Sequence, residues 1–136
     1  METTAAAAAA AERKTENGVG FGPVLIVNGA PVDAKLLKSG LNPRTAIGQR
    51  SDGAVLLLVI DGRQVTSLGA SYQDLVEVFM SYGAVNACNL DGGSSTVMLY
   101  RDPESGEVSM VNSYSLLQEE PRRMPTFFMV RPGSEG

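Results

Sequence analysis

Asp91-Gly92-Gly93-Ser94-Ser95-Thr96 closes an apolar run with one carboxylate, two glycines and three hydroxyls. A carboxylate at the mouth of a strand sits on a rim, where it can take up a proton or face a reacting carbon. Glycines let a backbone approach a ligand closely, and hydroxyls offer further hydrogen bonds. The same residues also build a tight turn held by side-chain-to-backbone bonds, so spacing alone leaves both readings open. A second group is Asn42-Pro43-Arg44-Thr45-Ala46-Ile47-Gly48, in which Arg44 opens an otherwise apolar run. Its planar fork suits a phosphate gripped through two hydrogen bonds, but spacing alone favours the other reading, the cap of a sheet edge. A third, Asp61-Gly62-Arg63, ends the apolar stretch 54–60 and is either a turn or a rim carboxylate.

Composition removes several chemistries. The 136 residues hold no histidine and one cysteine, Cys88, so Ser-His and Cys-His pairs, intrachain disulfides and cysteine zinc sites are excluded within the chain. Cys88 lies in the apolar run 84–90, where a thiol serves as a small hydrophobe. A net charge of -4 gives no electrostatic ground for nucleic acid, which needs clustered Lys and Arg. The longest apolar stretch, 54–60, is too short to cross a bilayer, and residues 1–11 lack the basic start and Leu-rich centre of a signal peptide. No direct membrane insertion is expected. Asp61, Asp91 and the nearby hydroxyls are hard oxygen donors of the kind calcium or magnesium takes, but the carboxylates are too few and too scattered to predict a metal or any other cofactor.

These residues need elements to carry them. Residues 1–20 combine an alanine tract with charges and two glycines and offer no large apolar side chain, so a disordered or frayed tail is expected there. From residue 21 onward, short β-rich runs alternate with Gly and Pro turns. Strands are expected over 23–27, 44–49, 54–60, 85–90, 96–100, 108–112 and 126–130, with a hairpin through Ser51-Asp52-Gly53. The stretch 55–60 is apolar at every position and is therefore expected at the centre of its sheet, covered on both faces. Ser71-Tyr72-Gln73-Asp74 forms a capping box with Asp in the acidic place, and Leu75, Val78, Phe79 and Tyr82 recur at helical spacing before Gly83. The spacing predicts one main helix over 72–82. The expected class is α+β, a mixed and mainly antiparallel sheet with that helix packed on it.

The order of motifs is more specific than any one of them. Phe21-Gly22-Pro23-Val24-Leu25-Ile26-Val27-Asn28-Gly29, Arg44-Thr45-Ala46-Ile47-Gly48, Val59-Ile60-Asp61-Gly62-Arg63, Gly69-Ala70 before the helix, Asn89-Leu90-Asp91-Gly92-Gly93-Ser94-Ser95, Val111-Asn112-Ser113 and Arg122-Arg123-Met124-Pro125-Thr126 follow one another here. In that order they resemble phosphodiester glycosidase domains, above all bacterial members labelled exopolysaccharide-related. The resemblance runs from residue 21 to about residue 132 and corresponds to the carboxy-terminal half of such a domain, so 21–136 is expected as a partial phosphodiester glycosidase domain. The family's first half, with an Asn-Gly-Gly-Phe-like glycine loop, is expected to be missing, the alanine-rich tail standing in its place.

The resemblance implies hydrolysis between a sugar's anomeric carbon and a phosphodiester, in exopolysaccharide or cell-envelope glycan metabolism and in an extracytoplasmic setting. The leaving group is a phosphate monoester, which departs more readily than an alcohol, so a site without histidine is chemically reasonable. On this reading Arg44 clamps the phosphate, Asp91 is nucleophile or water-activating base, and Asp61 is a second carboxylate or an acceptor for a sugar hydroxyl. Thr45, Gly92, Gly93, Ser94 and Ser95 line the substrate, the loop offering backbone N–H groups and hydroxyls to the phosphate, with Asn112 and Arg122 as second-rank binding residues. The partner implied is a carbohydrate phosphodiester. A half-domain is further expected to leave apolar sheet uncovered, and so to pair with a second copy or with its missing first half. A catalytically incomplete subunit and a carbohydrate-binding module without turnover are the competing readings; the lack of tryptophan counts against the module.

Overall fold

The computed structural model describes residues 18, 20–113, 120 and 122–131. Its larger sheet takes the order β2-β1-β5-β3-β4, built from β1 (Val24–Val27), β2 (Ala30–Pro31), β3 (Arg44–Arg50), β4 (Val55–Ile60) and β5 (Ala84–Asn89). Every pairing in it is antiparallel. A separate ribbon pairs β6 (Leu99–Arg101) with β7 (Val108–Met110). The α+β class with a mainly antiparallel sheet and one helix on it is the observed architecture. Of the expected tail, only Gly18 and Gly20 fall among the described residues.

The helix α1 (Tyr72–Ser81) begins at a full capping box: the Ser71 hydroxyl accepts from Asp74 N, and Asp74 Oδ2 accepts from Ser71 N at 2.7 Å. It ends where Gly83, at φ +75°, donates its N–H to Met80 O. Leu75 and Phe79 are fully buried against Leu25, Ile26, Ala46 and Ala87, each burial stabilising by about 1.5–3 kcal/mol. The fit depends on Gly48 in β3. A Cβ there would lie 2.8 Å from two Phe79 ring carbons, so only glycine lets the ring lie on the strand.

The expectation that 55–60 forms a central strand is wrong. β4 is the outer strand, with β3 between it and β5. Leu56, Leu58 and Ile60 turn to the helix side and pack on the core, whereas Val55 and Leu57, which alternate with them, are 58% and 41% exposed. A continuous apolar run therefore signalled two apolar faces but not two covered ones. Arg50 N donates to Ala54 O, a hydrogen-bonded pair in the β3–β4 register, and counting on by twos leaves the peptide groups of Val55, Leu57 and Val59 directed away from β3.

Two further boundaries differ. The strands expected over 96–100 and 108–112 shorten to β6 and β7, because Gly93–Ser95 forms a 3-10 turn and Asn112 bonds across the ribbon's base, accepting from Met98 N and donating to Thr96 O. Residues 126–130 are exposed and do not form a strand, having no ladder partner among the described residues.

Candidate active site

The loop after β5 is the point to which distant segments converge. Asn89 fixes the strand's exit: its buried amide donates to Gly22 O at 2.9 Å and to Leu90 O at 2.7 Å, while Leu90 N donates to Thr45 O. Asp91 follows, half-exposed, and its Oδ2 accepts from the Ser95 hydroxyl at 2.8 Å and from Arg122 Nη2. Arg122 also donates its backbone N–H to Ser94 O. Thr45 Oγ1 meets Thr96 Oγ1 at 3.4 Å, and Asn112 holds Thr96 from behind. Asp61 leaves β4 beside this group, its carboxylate accepting from Ser113 N at 3.0 and 3.1 Å. Thus Asp91, Ser95 and Arg122 touch directly, Thr45 and Asn112 brace the loop, and Asp61 is bound to the residue next to Asn112.

Arg44 goes elsewhere. The first residue of β3, it is 7% exposed, and it shares the helix side of the strand with Ala46 and Gly48. Its Nε donates to Ala70 O at 2.9 Å, its Nη2 to Gly40 O at 2.8 Å, and its guanidinium stands 4.2 Å from the Tyr72 ring centroid. Burial demands partners for each donor, and two loop carbonyls and a π face supply them. The Arg44 backbone does border the loop, but its charge ties the segment before β3 to the start of the helix.

Some of the loop's N–H groups are also taken up. Gly93 N donates to Pro43 O, Ser95 N to Gly92 O and Thr96 N to Gly93 O. The last two bonds close the 3-10 turn and the first ties it to the segment before β3, so the N–H groups at those three positions are not open to a phosphate.

Arg63, quoted above only as part of a motif, stands at the loop instead. It adopts φ +56°, an uncommon region for a residue with a Cβ, and its Nη2 donates to Asn42 Oδ1 at 2.9 Å. A Cβ on Gly93 would lie 3.6, 3.7 and 3.9 Å from Arg63 Nη2, Nη1 and Cζ, so the guanidinium lies over that glycine. Gly62 makes this turn possible, since a Cβ there would meet Gly69 Cα and Pro43 N at 2.8 Å. The clue in the sequence was the Asp-Gly-Arg triplet at a strand end; the direction of Arg63 followed from packing. Among the described residues, no group of three or more Asp, Glu, Cys or His side chains could hold a metal ion, and no helix is long and apolar enough to cross a membrane.

The family model for phosphodiester glycosidases matches residues 2–131. The chain belongs to that family. Among curated relatives, the SPbeta prophage-derived protein YomE of Bacillus subtilis (strain 168) is 40% identical over 84 residues, which is 59% of this chain and 13% of YomE. The N-acetylglucosamine-1-phosphodiester alpha-N-acetylglucosaminidase of Bos taurus is 36% identical over 59 residues, 43% of this chain and 11% of the bovine protein. A solved structure of a hypothetical protein from Synechocystis superposes with a TM-score of 0.53 at 35% identity, covering 62% of this chain and 17% of that one. The chain thus spans under one fifth of the length of each of these relatives. The segments that surround Asp91 are those whose order carried the family resemblance.

Proposed function

We propose that the chain carries the carboxylate-bearing part of a site that hydrolyses a sugar-1-phosphodiester, with Asp91 facing the anomeric carbon. The carrying observation is the placement of Asp91: it leaves the end of β5 on a loop braced by Thr45, Asn112 and Arg122, and its carboxylate is oriented by Ser95 and Arg122. Family membership supplies the reaction class, and the bovine relative's name states an activity on an N-acetylglucosamine phosphodiester.

The chemistry fits what these residues offer. As the bond from C1 to the phosphate oxygen breaks, its electron pair leaves with the phosphate monoester and positive charge grows at C1. The Asp91 carboxylate stabilises that charge. It either attacks C1 itself, water later releasing the sugar, or takes the proton of a water that attacks C1; both routes give the free sugar and a phosphate monoester. The Ser95 and Arg122 contacts hold the carboxylate in one orientation, so little reorganisation is needed at the moment of reaction. Asp61, fixed by Ser113, serves as an acceptor for a sugar hydroxyl.

Incubation with a sugar-1-phosphodiester, followed by proton NMR of the first anomer formed, tests the reading and separates the two routes: retention marks direct attack by Asp91, inversion marks water. Absence of sugar release by the chain, alone and together with an added segment corresponding to the first half of the family's domain, would remove hydrolysis and leave a binding or structural role.

A further inference from the structure

We infer that residues 126–131 of one copy of the chain add as a strand to the open edge of β4 in a second copy, the two copies exchanging these segments to form a dimer. The inference goes beyond the reaction proposed above and does not depend on it.

Two unmatched pieces of the chain lead to it. β4 has the composition of a central strand in an edge position. Its six residues are all apolar; Leu56, Leu58 and Ile60 pack on the core, while Val55 and Leu57 lie exposed on the opposite face. Among the described residues it is paired on one flank alone, to β3, and neither a charge nor a proline blunts the other flank. Residues 126–131, Thr-Phe-Phe-Met-Val-Arg, have the opposite mismatch: the composition of a strand and no sheet. Phe127 and Val130 are 81% and 80% exposed, a costly placement for side chains of this kind.

Each piece offers what the other lacks. Pro125 and Pro132 bound the segment, and since proline ends a ladder, the six positions between them match the six of β4. The outward peptide groups of Val55, Leu57 and Val59 would gain a ladder partner. Phe127 and Met129 alternate with Phe128 and Val130, giving an apolar pair to each face of the enlarged sheet. β4 would then hold the central position for which a strand apolar at every residue is suited.

Reach decides whose segment it is. Arg122 is held at Asp91, just after β5, and β3 and β4 lie between β5 and the open edge. An added strand would stand three strand spacings from β5, roughly 14 Å. Residues 122–126 span about 13–14 Å when fully extended, which leaves no slack to round the turn at Asp61. Within one chain both pieces stay unpaired; a second copy reaches freely, and reciprocal exchange covers both edges in a closed dimer. Because the segment follows Arg122, pairing also fastens the loop that holds Asp91 to the partner copy.

Sedimentation equilibrium and light scattering on the full native chain should find a dimer that dissociates on dilution. Phe128→Pro, which removes a ladder N–H from an exposed segment, and Leu57→Lys should each weaken it about tenfold or more without lowering the melting temperature of the monomer. Mixed dimers of isotope-labelled and unlabelled chain should show intermolecular NOEs between 126–131 and 55–60, and the amides of Val55, Leu57 and Val59 should gain hydrogen-exchange protection as concentration rises. A chain that stays monomeric overturns the inference, and protected 126–131 amides in that monomer would mean that the segment folds back on its own β4. A dimer with native affinity in Phe128→Pro and NOEs from β4 to β4 overturns it as well, since the two edges would then pair directly. So does an open-ended polymer, which excludes reciprocal exchange. Should either variant fail to fold, the NOE pattern of the native chain decides alone.

Discussion

The Arg44 guanidinium lies 4.2 Å from the centroid of the Tyr72 ring, joining the first residue of β3 to the first residue of α1. Because Arg44 is buried and Tyr72 partly so, this contact and the two carbonyl bonds act on stability. Arg44→Gln should lower the unfolding free energy by about 2–4 kcal/mol, since charged hydrogen bonds are lost and two carbonyls are stripped of their donor. Urea denaturation measures it. Arg44→Lys should recover little, because an ammonium cannot reach both carbonyls and stack at once. Phosphate affinity of the folded fraction should stay within about twofold of native, and a large loss there with unchanged stability would show that Arg44 reaches the ligand after all.

Asp91→Asn removes the charge and leaves the shape. Asparagine can still accept from Ser95, so the variant should melt cooperatively near the native temperature while kcat for sugar release falls by about two orders of magnitude or more. KM should change far less, because the carboxylate acts on charge that develops only as the bond breaks. Steady-state kinetics on a sugar-1-phosphodiester measure both, and near-native turnover in this variant would remove Asp91 from the mechanism.

The helix cap offers a check on stability and its pH dependence. Ser71→Ala should cost about 1 kcal/mol, the usual value of an N-cap hydroxyl. The Ser71 backbone N–H, and after it the Ser71 hydroxyl that the variant removes, hold the Asp74 carboxyl below its ordinary pKa. A folded-state pKa below the unfolded one means that the carboxylate's share of stability is present above the unfolded value and is lost as pH falls through the folded one. The gap between native chain and Ser71→Ala should therefore narrow in acid, as seen in urea midpoints measured from neutral pH down through the carboxylate range. A gap that held constant would assign the effect to the hydroxyl alone.

β4 presents an apolar edge with no proline and no charged side chain, and its outward peptide groups at Val55, Leu57 and Val59 have no partner strand among the described residues. Edges of this kind pair with whatever strand is offered. The chain on its own should show concentration-dependent association in light scattering, and Leu57→Lys, on the face away from the helix, should shift it toward monomer without loss of melting temperature. A native chain that stays monomeric at high concentration would mean that the edge is already covered.

What could be read from the residues in order was whatever depends on near neighbours. The capping box at Ser71 and Asp74, the stripe of Leu75 and Phe79, the Gly83 stop and the hairpin at Asp52 were legible because each is settled within a few residues of chain. The order of motifs carried the family in the same way, and Asp91 could be placed on a rim because an apolar strand ends just before it. Position within the sheet and the aim of long side chains were not legible. Whether 55–60 lies at the centre or the edge depends on which strands pair with β3, and the apolar pattern is the same for both. Arg44 and Arg63 each border a strand end, with the same reach and the same charge. Only the packing of Tyr72 and Ala70 beside one, and of Asn42 and Gly93 beside the other, decided that the first is buried structure and the second stands at the loop, because a flexible cation goes where the assembled fold leaves it acceptors and room.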